Sequence, residues 1–155
     1  MVENGSYEKL THRRSVFFVD KKYFVIMDDA FGEVTGEVDI HFQLAPGKAV
    51  IDHAGLTVRS DFENGWNVLV KTEKQPGIIL EEEEGQVSFL YTKKEPRPAF
   101  RFRVKKENSM DKVRFITLVI PYEKGIPEIT IKVIDEQGLR MEIKAPTLRY
   151  VNIPM

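Results

Sequence analysis

Glu37-Val38-Asp39-Ile40-His41-Phe42-Gln43-Leu44 places an apolar side chain at every second position and a polar one between. Successive side chains of an extended strand point to opposite faces, so this stretch predicts a strand with one wet and one dry face. The same alternation recurs at Trp66-Val68-Val70, Val87-Phe89-Tyr91, Phe100-Phe102-Val104, Ile129-Ile131-Val133 and Leu139-Met141-Ile143. In the first of these, Trp66 shares the core-facing phase of Val68 and Val70. Val16-Phe17-Phe18-Val19 and residues 115–120 are apolar on both phases, which predicts central strands covered on both sides. No apolar stripe of period 3.6 reaches helical length.

The punctuation between these runs agrees. Asp20-Lys21 separates two strand-like runs and suits a tight hairpin, while Pro46-Gly47 and Pro76-Gly77 suit type II turns. Gly65, Gly85, Gly125 and Gly138 also fall between runs, and Asn108-Ser109 is a polar break. About a dozen short strands at 8–12-residue spacing predict an all-β, antiparallel β-sandwich. With no repeat or linker visible, residues 1–155 read as one domain.

The bulk numbers narrow the classes. A chain of 155 residues with 42% hydrophobic and 30% charged content can bury its own core. Its net charge of −1 supplies no field for nucleic acid. No apolar run approaches the roughly 18–20 residues that a membrane helix needs. The absence of cysteine excludes disulfides, thiolate metal sites and cysteine nucleophiles. The opening Met1-Val2-Glu3-Asn4-Gly5-Ser6 has no charged n-region or apolar h-region, so it does not read as a signal peptide.

Three histidines carry most of the candidate chemistry. His53 lies in the turn-like Asp52-His53-Ala54-Gly55, and His41 shares the polar strand face of Asp39 and Gln43. No pair has metal-ligand spacing, so no metal and no cofactor is expected. His12 and Arg14 of Thr11-His12-Arg13-Arg14 point the same way on a strand, about 7 Å apart. That arrangement suits an anionic sugar, since a guanidinium offers a two-pronged donor to carboxylate or sulfate. The commoner use of such a pair is structural, with both residues pairing to acids on the neighbouring strand.

Arg97, Arg101, Arg103 and Lys105 form a second basic row, on one face of a strand whose other face carries Phe100, Phe102 and Val104. The row reads either as an anion-binding groove or as a solvated face beside an acidic strand. Glu81-Glu82-Glu83-Glu84 is the acidic candidate, and by itself it reads as a solvated turn rather than a calcium loop. Trp66 is a candidate sugar-stacking residue. No nucleophile elbow, phosphate loop or dinucleotide fingerprint occurs.

Leu10-Thr11-His12-Arg13-Arg14-Ser15-Val16, then Lys21-Lys22-Tyr23-Phe24 and Asp28, resembles the late β-domain of heparinase II/III-type polysaccharide lyases, nearest their heparan-sulfate-cleaving branch. His41-Phe42-Gln43-Leu44, Glu82-Glu83-Glu84-Gly85-Gln86-Val87-Ser88 and Arg97-Pro98-Ala99-Phe100 continue the likeness in order. It covers roughly residues 7–135. The resemblance implies β-elimination: the uronate carboxylate is neutralised, a tyrosine or histidine removes the C5 proton, and the 4-linked sugar leaves.

Such lyases join an amino-terminal helical toroid to a carboxy-terminal β-sandwich and hold substrate between them. A histidine in a V-H-N-T-like segment adds to the machinery. No helical pattern and no His-Asn-Thr occurs here. The resemblance therefore implies the carboxy-terminal portion of a longer periplasmic or secreted lyase, catalytically silent alone. Its partners would be an anionic polysaccharide and the helical domain of the same protein, with no nucleic acid and no membrane. His12 is carried over in a supporting catalytic role, with Arg14, Arg97, Arg101, Arg103 and Trp66 as substrate-binding candidates. The alternative is a non-catalytic module that binds anionic polysaccharide.

Overall fold

The structure, a computed structural model, describes residues 1–135, 140–145 and 147–152. Strands are the only helix- or sheet-type elements among them. In chain order these are β1 (Val2–Tyr7), β2 (Leu10–Val19), β3 (Tyr23–Gly32), β4 (Gly36–Gln43), β5 (Ala49–Asp52), β6 (Thr57–Ser60) and β7 (Asn67–Thr72). They are followed by β8 (Ile79–Leu90), β9 (Lys93–Lys106), β10 (Val113–Tyr122), β11 (Thr130–Asp135), β12 (Arg140–Ala145) and β13 (Thr147–Asn152). The fold is all-β, as the alternation predicts.

Residues 1–155 form two compact units, Met1–Pro121 and Tyr122–Met155. The second holds a three-stranded antiparallel sheet, β11-β12-β13, in which Thr130 faces Lys144 and Ala145 faces Thr147. Gly138 and Leu139 lie outside the described residues.

The first unit is the sandwich. A seven-stranded sheet in the order β1-β2-β3-β10-β7-β6-β5 is covered by a three-stranded sheet in the order β4-β9-β8. Registers are antiparallel: His12 faces Ala30 and Ala30 faces Val113, while Arg14 faces Asp28 and Asp28 faces Phe115. Residues directly opposite share a face. Because Ala30, Val113 and Phe115 belong to the core, His12, Arg14 and Asp28 lie on the inner face too.

Phe100, Phe102 and Val104 of β9, with Ile40 and Leu80 from its neighbours, pack on Ala30, Phe115, Val58 and Val70. The Phe42 and Phe100 rings stack at 5.6 Å, and Phe102 meets Phe100 edge-on at 5.7 Å. Burying each such ring contributes about 2–3 kcal/mol.

The hairpin at Asp20-Lys21 is the expected one. Both residues take positive φ (50° and 55°), which is the type I′ geometry that matches strand twist, and the Lys22 N–H donates to Val19 O at 2.9 Å. Gly77 follows Pro76 at φ 73°, in a turn closed by the Ile78 N–H to Gln75 O, as a type II turn requires. Gly47 stands at φ 143°, outside the type II range, with the Phe62 ring where a Cβ would sit.

Several expectations change. β10 is central and buried on both faces from Phe115 to Leu118, as predicted. β2 is not: Val16 and Phe18 are 52% and 56% exposed, because three covering strands do not span seven. Gly85 breaks nothing; it sits inside β8 opposite Arg97, where a Cβ would meet Arg97 O at 2.6 Å. Glu81-Glu82-Glu83-Glu84 is accordingly strand, not turn. Phe89 and Tyr91 are exposed at the β8–β9 hairpin, where Thr92 takes a φ of 69°. Trp66 precedes β7 in a loop and is 64% exposed, so it does not join Val68 and Val70 in the core.

Candidate functional site

β2 presents His12, Arg14, Val16 and Phe18 in a row on the inner face, with His12 beside β4 of the smaller sheet and Val16 and Phe18 left open. At the head of the row, a carboxylate organises both basic residues. His12 Nε2 donates to Asp28 Oδ1 at 2.6 Å, while Arg14 donates through Nε to Oδ1 at 2.7 Å and through Nη2 to Oδ2 at 3.1 Å. Asp28 is 1% exposed, whereas His12 and Arg14 are part-exposed. The pairing follows from register, which sets Arg14 opposite Asp28 and His12 one cross-strand step away. A buried carboxylate is expensive unless it is paired, so these two side chains are held rather than free to swing.

The triad borders two depressions. One, of about 310 Å³, is lined by His12, Asp28, Ala30, Ile40 and Phe115 and, from β4, by the acidic Glu37 and Asp39. The other, of about 440 Å³, runs over Val2, Asn4, His12, Arg14 and Val16. His12 lines both, so its imidazole stands at their junction. Polar groups on an apolar floor are what a sugar-binding groove needs, because ring faces rest on hydrocarbon while charges meet fixed donors.

The basic row on β9 is arranged differently. Arg101 Nε donates to Glu81 at 2.8 Å, and the guanidinium also lies 3.4 Å from Glu83 and 3.5 Å from Asp39. Arg103 makes a two-pronged pair with Asp39 at 2.7 and 2.8 Å and reaches Glu37 at 2.9 Å. Lys105 pairs with Glu107. Hydrogen bonds from Arg103 hold the Asp39 carboxyl below the ordinary carboxylate range, and Asp39 in turn raises Arg103. The acidic strand suspected in the sequence is thus β8, joined by β4. Arg97, facing Gly85, keeps a buried Nε without a hydrogen-bond partner.

The remaining histidines take structural partners. His41 Nδ1 bonds Glu83 at 2.7 Å on the polar face of its strand. His53 sits in its turn and donates from Nδ1 to the Leu80 carbonyl at 2.9 Å, linking the β5–β6 turn to β8. Among the described residues no three histidine or acidic side chains cluster as a metal site.

The sequence reading names Asp28 only as part of the resemblance and gives neither Asp28 nor Asp29 an organising role. Asp28 and Asp29 interrupt the apolar run Tyr23-Phe24-Val25-Ile26-Met27, and a pair of carboxylates there is the signal that was available. Asp29, on the opposite face, receives Arg114 through Nε at 2.6 Å and Nη2 at 3.1 Å, with Lys112 at 2.8 Å. Burial opposes its ionisation, but the bonds from Arg114 and Lys112 prevail and its carboxyl lies below the usual range.

Residues 1–134 match the family described as "Heparinase II/III-like, C-terminal". The chain is 36% identical over 150 residues to a heparin-sulfate lyase of Bacteroides stercoris, covering 93% of this chain and 22% of that protein. It is 39% identical over 131 residues to a heparin-sulfate lyase of Pedobacter heparinus, covering 83% and 20%. The crystal structure of heparan sulfate lyase from Pedobacter heparinus superposes with a TM-score of 0.91 at 34% identity, over 98% of this chain and 25% of that one. The chain therefore spans about a fifth of the length of the curated relatives it matches.

Proposed function

The chain belongs to the heparinase II/III-like, C-terminal family, and from that premise we propose that it is the carboxy-terminal β-sandwich of a polysaccharide lyase. The parent enzyme cleaves uronic-acid-containing glycosaminoglycan of the heparan sulfate type by β-elimination, in the periplasm or outside the cell. The observation that carries this reading within the chain is the His12–Asp28–Arg14 triad at the junction of two depressions.

Elimination needs the uronate carboxylate neutralised, the C5 proton removed and the leaving oxygen protonated. Arg14 spends Nε and Nη2 on Asp28 and leaves Nη1 for an anionic group of the sugar. His12, oriented by Asp28 through one ring nitrogen, presents the rest of its ring to the groove, where it supports the substrate's position. A base for C5, an acid for the leaving oxygen and the opposite cleft wall come from the rest of the parent. The 155 residues are thus silent alone.

In the longer protein, His12→Ala and Arg14→Ala each lower kcat/KM for heparan sulfate by roughly tenfold to a thousandfold, as lost positioning and charge neutralisation would. Full activity in both variants would remove the triad from the site.

A non-catalytic module for anionic polysaccharide is the second reading, and the exposed Trp66 favours it by offering an aromatic face. In that reading the candidates for holding the polymer are Arg14, Arg97, Arg101, Arg103 and Trp66. Retention of the chain on heparin resin separates the contributors. Because Arg101 and Arg103 already face four carboxylates, their replacement by alanine leaves retention nearly unchanged, whereas Arg14→Ala or Trp66→Ala reduces it. Loss of retention only on changing Arg101 and Arg103 would transfer the binding face to β9.

A further inference from the structure

β9 runs on past the end of β4. Its contact with β4 ends where Gln43 faces Ala99 and the Leu44 N–H donates to Pro98 O. β8 stays paired to β9 further, through Gly85–Arg97 and Val87–Glu95 to Leu90–Lys93. Residues 84–98 therefore form a two-stranded arm, and five residues of strand from Pro98 to Lys93 carry it about 17 Å beyond β4. Its end is aromatic and open to solvent: Phe89, Leu90 and Tyr91 are 68%, 62% and 96% exposed. Ser88 Oγ donates to the Leu90 carbonyl at 2.7 Å, and Thr92 makes the turn at a φ of 69°.

Arg97 differs from the other members of its row. Arg101, Arg103 and Lys105 have carboxylate partners, but neither Arg97 nor Lys93 has one among the described residues. Glu83, the last acid of that phase on β8 before Gly85, is engaged by Arg101 and His41. Glu95 stands between Lys93 and Arg97, opposite Val87, so this phase of β9 carries two cations to one acid along the arm. Gly85 shapes the seat of the guanidinium. A Cβ there would meet Arg97 O at 2.6 Å and Arg97 Cγ at 3.2 Å, so the arginine crosses a bare glycine. Its buried Nε has no acceptor, a cost that an incoming acceptor relieves.

We infer that this arm is a second binding site for anionic polysaccharide, apart from the triad groove; the inference takes its ligand from the reading above. Arg97 and Lys93 meet carboxylate or sulfate, and Phe89 and Tyr91 offer ring faces to the sugars. Unpaired cations beside the aromatics favour a polyanion over an apolar protein surface as occupant. Lys93 lies eight residues of strand, about 27 Å, from Arg101, whose partner His41 lines the groove. A polymer bound at one place is tethered at the other, so the arm favours long chains over short fragments.

Calorimetric titration of heparan sulfate into the chain tests the site, with poly(vinyl sulfate) as a polyanion that has no sugar ring. Arg97→Gln weakens heparan sulfate binding by roughly tenfold, as loss of a charge-assisted donor does. Lys93→Gln, at an exposed position, weakens it by about threefold and carries the test if Arg97→Gln misfolds. Phe89→Ser weakens heparan sulfate binding by about threefold and leaves poly(vinyl sulfate) binding unchanged. Unchanged heparan sulfate affinity in Arg97→Gln and Lys93→Gln overturns the site. An equal effect of Phe89→Ser on both polymers, or none on heparan sulfate, also overturns it, in favour of a patch for polyanions in general. Unsaturated uronate from the longer protein keeps the two ideas apart. Its release with affinity unchanged in the variants rejects the arm alone, and its absence with affinity weakened rejects the lyase reading alone.

Discussion

The two flanks of the sandwich use the same residue types to opposite ends. On the β9 flank, aromatic side chains face a complete core, and arginines on the outer face meet Glu37, Asp39, Glu81 and Glu83 within 3.5 Å. On the β2 flank, aromatics lie open, and two basic residues share the single carboxylate of Asp28 beside a groove. Basic residues on a strand therefore say little about anion binding until their compensation is known. One flank neutralises its own charges and seals its apolar face, and the other leaves its apolar face open.

The contrast is easiest to break at its aromatic residues. Phe102→Ala, at a fully buried position, costs about 3–5 kcal/mol in chemical denaturation, whereas Phe18→Ala in the isolated chain costs under about 1 kcal/mol. Comparable losses at both sites would mean that the β2 face is covered after all. Asp28→Ala comes next. It strips the shared hydrogen-bond partner from the Arg14 guanidinium and the His12 imidazole and costs about 2–3 kcal/mol, below the range for fully buried pairs because His12 and Arg14 are part-exposed. Arg101→Gln on the other flank changes stability by under about 1 kcal/mol, since several cations and acids there share the load at the surface. A larger effect at Arg101 than at Asp28 would invert the comparison.

Acid sharpens it further. The Asp29 and Asp39 carboxyls lie below their unfolded range, so the stability they contribute is present above about pH 4 and is lost as pH falls through their folded values. Asp39→Asn flattens part of that acid slope and Asp29→Asn another part, measured by denaturation across pH 2–5. A slope unchanged in both variants would contradict the assignment.

How much of this was legible in the sequence varies with the range of the interaction that decides it. The alternation at Val38-Ile40-Phe42 and Phe100-Phe102-Val104 is local and gave the inner faces of β4 and β9 directly. Asp20-Lys21 gave its hairpin because turn chemistry is local too. Residues 115–120 were readable as central because both phases are apolar. Val16-Phe17-Phe18-Val19 has the same pattern but a bare inner face, since coverage depends on how many strands lie opposite, which no local period encodes.

Gly85 looked like punctuation, yet its reason is the close approach of Arg97 from the neighbouring strand. Trp66 matched the phase of Val68 and Val70, but β7 begins one residue after it. His12 and Arg14 were visible as a pair. Their shared acid was not, because Asp28 is 14 residues from Arg14 and only the β2–β3 register unites them.

The central claim is that these 155 residues form one wall of a lyase and lack the rest of its chemistry. Its most direct measurement is ultraviolet absorbance of unsaturated uronate during incubation with heparan sulfate, comparing this chain with the longer protein at equal molarity. The account predicts a steady rise for the longer protein and none for the chain. A sustained rise from the chain alone would contradict it.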